Sequence, residues 1–283
     1  MKSIGYKAFL TAIAAGAAYE AYEHAVLARR SYTVSVPEAL AGLKLLLLSD
    51  LHCNPFVCNN KHILAKIEAE KPDVILLAGD MFSKYGKPEN ERVPFFLISL
   101  TKIAPVIACL GNHEQVLKQQ FPDQYALFHA RLSRFGVYLL ENETLTLMLH
   151  GKKVTFCGFS IDLKYYFLKR KRAHLSAAEL SKLPRFDTDR TILLAHHPDY
   201  FDEYCKLSPL VVSGHVHGGI MNLPFFGGVL SPQLYKPPYS HGCYKKEGAT
   251  LVVSSGAGSH SIPVRFFNRI EYCIIHTIPR EKE

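Results

Sequence analysis

Five short clusters of metal-ligating residue types fall in order along the 283 residues of this chain. They are Ser49-Asp50-Leu51-His52, Gly79-Asp80, Gly111-Asn112-His113-Glu114, His196-His197 and Gly214-His215-Val216-His217. Two Asp, one Asn and several His brought to one place would form a divalent-metal site, so the series points to metal-assisted catalysis. A mixed nitrogen–oxygen donor set without thiolate suits Mn, Fe, Zn or Co better than Ca or Cu(I). Asp80, alone in its Gly-Asp turn, is the natural carboxylate to bridge two ions, and Gly79 lets the backbone turn sharply there. Asp50 and His52, two apart on an extended segment, point to the same side and can reach one ion together. By the same spacing His215 and His217 can place one imidazole on each ion. The adjacent His196 and His197 cannot both face the metals from an extended strand.

Apolar runs deliver these residues. Each cluster ends or follows one: KLLLLSD, DVILLAGD, PVIACLGNHE, TILLAHHPD and LVVSGHVHGG. Such runs read as buried strands carrying polar residues to one sheet edge, where ligands of open α/β sheets collect. Strands are expected over Lys44–Asp50, Asp73–Asp80, Ala104–Leu110, Val137–Glu141, Thr191–Ala195, Leu210–Ser213, Leu251–Ser255 and Tyr272–Thr277. Helices are expected over Asn59–Glu70, near Pro94–Lys102, and as one long element from about Glu114 to Phe135. A hairpin of Leu145–His150 and Lys153–Gly158, turning at Gly151, is expected to mark a passage from parallel to antiparallel pairing.

The ordered series resembles the calcineurin-like metallophosphoesterases, whose pattern is DxH, GD, GNH(E/D), a lone His and GHxH. The likeness runs from about Gly42 to about Ile278. It implies an α/β fold of two mixed β-sheets packed as a sandwich flanked by helices. It also implies hydrolysis of a phosphodiester or pyrophosphate at two divalent ions, by attack of a metal-bridging hydroxide. The resemblance assigns Asp50, His52, Asp80 and His217 to one ion and Asp80, Asn112, His196 and His215 to the other. His196 is chosen over His197 because the family ligand stands two residues before Pro198, which leaves His197 a turn or supporting residue. His113 would contact the phosphate and protonate the leaving alkoxide. Glu114 would orient His113, hold the turn or start a helix. Asp162, Tyr165 and Tyr166 are further candidates for reaching the substrate, with their direction open.

A closer likeness lies in GHVHGG followed by NLPFFGG, SSGAG and Val264-Arg265-Phe266-Phe267-Asn268-Arg269. This combination is similar to a branch of small bacterial enzymes with an N-terminal membrane-associating segment, although Ile220 stands where the branch often has Gln. Substrates implied are a lipid-linked nucleotide such as UDP-diacylglucosamine, or a soluble nucleotide or cell-envelope phosphodiester. A non-catalytic scaffold of the same fold usually has degraded ligands, and here the set is intact.

Composition fits an ordinary globular enzyme: 48% hydrophobic residues with mean hydropathy of +0.03. The 33 Lys and Arg exceed the 25 Asp and Glu by 8, and the pI is about 9.0. Such an excess attracts an anionic substrate or an anionic membrane surface, and no nucleic-acid-binding motif accompanies it. Lys164, Lys169, Arg170, Lys171 and Arg172 concentrate the charge, either as a solvated face or as a patch toward phosphate or membrane. Seven Cys without a CxxC pair argue against a disulfide framework or zinc ribbon and favour a reducing compartment. Cys109 and Cys157 read as small buried hydrophobes, and Cys53 as a bystander beside His52.

Two units are expected: an apolar or amphipathic segment over 1–30 and a phosphoesterase domain over 42–279. The uncharged run from Ala8 to Tyr19, about twelve residues, is short of the roughly twenty that span a bilayer. It reads as an uncleaved membrane-associating helix on the cytoplasmic side, a signal-peptide core, or a helix packed on the domain. As an anchor it would be dispensable for hydrolysis of a soluble diester. The Pro-, Gly- and aromatic-rich stretch Gly218–Tyr244, with Pro224–Phe226 at its centre, reads as a structural loop or as a rim for an acyl chain or bilayer. The remaining His are expected to be surface or packing residues.

Overall fold

The computed structural model describes residues 2–82, 92–167, 174–219, 222–223, 227–228, 236–258, 265 and 267–281. Along them run β1 (Ala28–Val36), β2 (Lys44–Leu48), β3 (Val74–Leu77), β4 (Val106–Cys109) and β5 (Val137–Leu140). Then come β6 (Glu143–Leu149), β7 (Lys152–Phe159), β8 (Thr191–Ala195), β9 (Leu210–Ser213) and the short β10 (Asn222–Leu223) and β11 (Gly227–Gly228). The last are β12 (Gly242–Lys246), β13 (Ala249–Val253) and β14 (Glu271–Pro279). One six-stranded sheet has the order β1-β14-β2-β3-β4-β5 and the other β12-β13-β9-β8-β7-β6.

The central strands are apolar at nearly every position because both of their faces are covered. Leu45, Leu47, Leu76 and Ile107 of the first sheet meet Val154, Phe156, Ile192 and Val212 of the second in one core. Leu46, Leu48, Ile75 and Leu77 point the other way, into a core shared with helices Lys61–Glu70, Arg92–Leu100 and Pro122–Arg134. Tyr165, Tyr166, Tyr200, Phe201 and Tyr204 pack on the outer face of the second sheet. This is the expected sandwich of two mixed sheets flanked by helices.

Several details differ from the sequence reading. The expected strands over 44–50, 73–80 and 104–110 stop one to three residues early, at Leu48, Leu77 and Cys109, because turns take over before the polar motifs. The long helix is two, Asn112–Gln120 and Pro122–Arg134, since Pro122 has no N–H to continue the first and instead starts the second. The hairpin forms, with His150 and Gly151 both in the left-handed region (φ 49° and 75°), as a tight two-residue turn requires. Pairing beyond it is not mainly antiparallel: β7, β8, β9 and β13 run parallel, and β12 pairs antiparallel with β13 at the far edge.

Strands β1 and β12 were not expected. Segment 28–36 pairs in parallel with β14 along its whole length, from Ala28↔Glu271 to Val36↔Pro279. Before it, a helix covers Lys2–Ala25. Its apolar residues are spread around the axis rather than gathered on one face, and no described helix is long and apolar enough to cross a membrane. Residues 13–18 are exposed, while Glu23 near its end is buried. Lys169–Arg172, Ile220, Pro224–Phe226 and His260 lie outside the described residues.

Candidate metal centre

Each residue of the expected set follows the carboxyl end of a strand. Asp50 and His52 follow β2, Asp80 follows β3, and Asn112 and His113 follow β4; His196 follows β8, and His215 and His217 follow β9. The first three strands belong to one sheet and the last two to the other, so the residues meet across one edge of the sandwich. They do not converge by the alternation of an extended strand. Asp50, His52, Asp80, His215 and His217 all have positive φ, at 49°, 43°, 53°, 71° and 51°. Non-glycine residues seldom adopt this conformation, which costs on the order of 1–3 kcal/mol each and gathers at functional sites. Backbone bonds between turns hold it: Asp50 N–H to Gly79 O (2.9 Å), His52 N–H to Asp80 O (3.2 Å) and Gly214 N–H to His196 O (3.0 Å). Gly79 itself has φ +86°, and a Cβ there would sit 2.7 Å from His196 Nδ1.

Two groups of donors result, Asp50 with His52 and His217, and Asp80 with His196 and His215. Each holds three of the four residues that the resemblance implies for one ion, without Asp80 in the first and without Asn112 in the second. A third group, His52, Asp80 and His113, overlaps both. His52 Nε2 lies 3.8 Å from Asp50 Oδ1, 3.9 Å from Asp80 Oδ2 and 3.1 Å from His217 Nε2. His196 Nε2 lies 3.3 Å from Asp80 Oδ2 and 3.9 Å from Asp50 Oδ1.

The donor chemistry fits cations. His52 Nδ1 donates to Phe82 O (2.9 Å) and His196 Nδ1 to Ala78 O, since a carbonyl can only accept. In the neutral rings the Nε2 lone pairs then face buried carboxylates, an arrangement repulsive unless positive charge lies between them. The buried Asn112 Oδ1 accepts no hydrogen bond among the described residues, which is costly unless something else ligates it. Without a cation, protons answer this charge. Burial pushes the Asp50 carboxyl up to about 6. Burial would also raise Asp80, but the charges of His196 and His113 overcome it and hold Asp80 well below the usual range. Burial would lower His196, but the Asp80 carboxylate raises it to about 9. A cation bound through His196 Nε2 at neutral pH must therefore displace that proton.

Glu114 holds the turn, and does more than start its helix. Its buried carboxylate accepts N–H groups of Asp80 (2.9 Å), Met81 (2.8 Å), Phe82 (3.2 Å) and Gly111 (2.8 Å), clamping the Gly-Asp turn to the Gly-Asn-His turn. Glu114→Ala leaves four buried donors unsatisfied and is expected to cost about 2–4 kcal/mol of stability. A denaturant-unfolding midpoint unchanged from wild type would contradict this.

His197 is a supporting residue: its Nδ1 accepts Asp199 N–H (3.4 Å), and its ring packs 4.4 Å from that of His215. Burial, then the neighbouring His196 charge, push it down to about 3, so it stays neutral. Tyr166 is buried beneath the rings of His196, His197 and His215, at 6.0, 5.4 and 5.0 Å, and is part of the floor of the site. Tyr165 OH bonds Ser176 Oγ (3.1 Å), and Asp162 pairs with Lys182 and Lys164, so both have local partners away from the clusters. Cys53 is buried and joins none of the donor groups, and all seven cysteines are free thiols. His62, His129, His150, His174, His241 and His276 join none of those groups either.

Sequence reasoning missed the scaffold behind the ligands. Arg265 is buried, and burial lowers it to about 10; it donates to the carbonyls of Asn268 (3.0 Å), Ser255 (2.9 Å) and Gly258. Asn54 Nδ2 holds Ala257 O at 2.9 Å, and Glu271 accepts Ser255 N–H at 2.9 Å. The SSGAG and Arg265–Arg269 motifs were the only sequence signal of it.

The chain belongs to the family described as calcineurin-like phosphoesterase, whose sequence profile matches residues 43–219. It is 29% identical over 250 residues to an uncharacterized metallophosphoesterase of Helicobacter pylori, an alignment covering 85% of this chain and 61% of that protein. This chain thus spans about three-fifths of that relative's length. It is 25% identical to the UDP-2,3-diacylglucosamine pyrophosphatase LpxG of Chlamydia muridarum, with 84% of each chain covered. It is 28% identical to the phosphodiesterase YaeI of Escherichia coli, with 68% of this chain and 67% of that one covered.

Proposed function

We propose that this chain hydrolyses a phosphodiester or pyrophosphate with two divalent ions, drawn from Mn, Fe, Zn or Co. The observation that carries the reading is the meeting of Asp50, His52, Asp80, His196, His215 and His217 in two donor groups at one sandwich edge. In this reading Asp50, His52, Asp80 and His217 hold one ion, and Asp80, Asn112, His196 and His215 the other, with Asp80 shared. When bound, such a pair of ions neutralises phosphate oxygens and acidifies water. His113 then protonates the leaving alkoxide. Its backbone N–H is fixed by Asp80 Oδ1 (2.9 Å), and its ring packs edge-on 4.9 Å from that of His52. All of these residues fall within the expected domain over 42–279.

The diester preference follows from charge. A monoester dianion calls for a further cationic clamp, and the buried Arg265 behind Asp50 gives its donors to backbone carbonyls instead. Turnover on bis-p-nitrophenyl phosphate is expected to exceed that on p-nitrophenyl phosphate with the same metal. A clear preference for the monoester reverses the reading.

A lipid-linked nucleotide pyrophosphate is the favoured substrate class, supported by the likeness to a diacylglucosamine pyrophosphatase. A soluble nucleotide or cell-envelope phosphodiester is the alternative, supported by the likeness to a phosphodiesterase. For the first, the exposed stretch 13–18 and the net charge of +8 suit attachment to an anionic membrane surface, on the cytoplasmic side. Deleting residues 2–16 is expected to release the protein from anionic vesicles and to lower lipid hydrolysis in them, with soluble-diester turnover retained. Full-length protein that does not sediment with such vesicles removes the membrane part.

A further inference from the structure

The end of the N-terminal helix grips the segment that backs the metal centre. Glu20 Oε2 accepts Arg265 N–H at 3.0 Å, the Tyr19 hydroxyl accepts Phe267 N–H at 2.9 Å, and Glu23 Oε2 accepts Asn268 N–H at 2.6 Å. The Glu23 carbonyl also accepts Ile270 N–H at 3.1 Å. On a helix whose residues 13–18 are exposed, Glu23 is only 4% exposed, as is Asn268. The Asn268 carboxamide then donates through Nδ2 to the carbonyls of His217 and of Gly219, the latter at 2.9 Å. Between them Gly218 has φ +70°, and a Cβ there would lie 2.6 Å from Asn268 Oδ1. A buried carboxylate, a buried carboxamide and the His217 turn therefore form one continuous chain of contacts.

We propose that Glu23 and Asn268 are positioning residues of the metal centre, through which the last turn of the N-terminal helix fixes the turn that presents His217. The inference rests on the reading of His217 as a metal ligand. His217 sits in the left-handed region (φ 51°), a conformation that persists only where surrounding groups enforce it. Two carbonyls held by one carboxamide supply that constraint, and the carboxamide is held in turn by the helix. The ion bound with Asp50, His52 and His217 depends on this chain. The ion bound with Asn112, His196 and His215 has the separate support of the Glu114 clamp on the Gly111 turn. The N-terminal segment is thus not a detachable anchor, and deleting residues 1–30 is expected to damage soluble-diester hydrolysis, contrary to the expectation from sequence.

The test is a Mn²⁺ titration of the full chain, read as bound metal by elemental analysis, with circular dichroism as a check of folding. Glu23→Ala is expected to weaken one of two Mn²⁺ sites about 10–100-fold, the usual effect of removing a ligand's support, with the other site close to wild type. Glu23→Gln keeps an oxygen acceptor for Asn268 N–H and should restore most of the affinity. Asn268→Asp removes the Nδ2 donor and should reproduce the loss, and the double variant should bind little worse than either single one. Wild-type affinity at both sites in Glu23→Ala and Asn268→Asp overturns the proposal. If Glu23→Ala gives no folded chain, Asn268→Asp alone decides. A wild-type chain that binds no Mn²⁺ defeats the metal reading itself, an outcome distinct from equal binding by the variants.

Discussion

Asp80→Asn is expected to lose metal and activity together, with turnover on a diester reduced on the order of 10³-fold or more. The size follows from the several kcal/mol that metal charge contributes to the transition state, at roughly 1.4 kcal/mol per tenfold in rate. Asp80 Oδ2 lies 3.3 Å from His196 Nε2, 3.8 Å from His113 Nε2 and 3.9 Å from His52 Nε2, so one carboxylate faces both donor groups. The fold should survive the change. Asn keeps an oxygen for His113 N–H, and the turn itself is held by Glu114. A folded Asp80→Asn chain with full metal content would remove Asp80 as the shared ligand.

His113→Ala should behave differently. The His113 side chain is 17% exposed, whereas those of Asp50, His52, His196 and His217 are at 5% or below. Those four side chains are sealed from solvent, whereas His113 is partly open to it and within reach of a bound ester. Its removal is expected to keep both metals and slow turnover by about 10²–10⁴, the range of a positioned acid. The loss should shrink with p-nitrophenolate, a leaving group that needs little protonation, and be largest with an alkyl ester. Full metal loss in this variant, or a loss that ignores the leaving group, contradicts the role of acid.

The fold was legible where apolar runs are long and closed by polar residues. β8 and β9 fall on their expected bounds because Thr191–Ala195 and Leu210–Ser213 are buried throughout. β1 was not legible, since its alternating ARRSYTVSV has only one well-covered face and follows a helix that draws the eye. The candidate ligands were legible by type and order, but their geometry was not. Spacing by two suggested extended strands, whereas the residues stand in left-handed turns whose stability comes from Glu114, Asn268 and backbone bonds between distant loops. Such support depends on pairs such as Glu23 and Asn268, 245 residues apart, which no local pattern connects. Pro122, by contrast, is a legible helix break, because its ring and missing N–H end the first helix and start the second.

The most direct measurement is the metal stoichiometry of the full chain after loading with Mn²⁺ and removal of excess, taken alongside its hydrolysis of bis-p-nitrophenyl phosphate. Two ions per chain are expected, with hydrolysis that disappears on chelation and returns on reloading, and fewer than two ions in Asp80→Asn. One ion or none in the wild-type chain, or hydrolysis that persists after both ions are stripped, would contradict the two-ion reading.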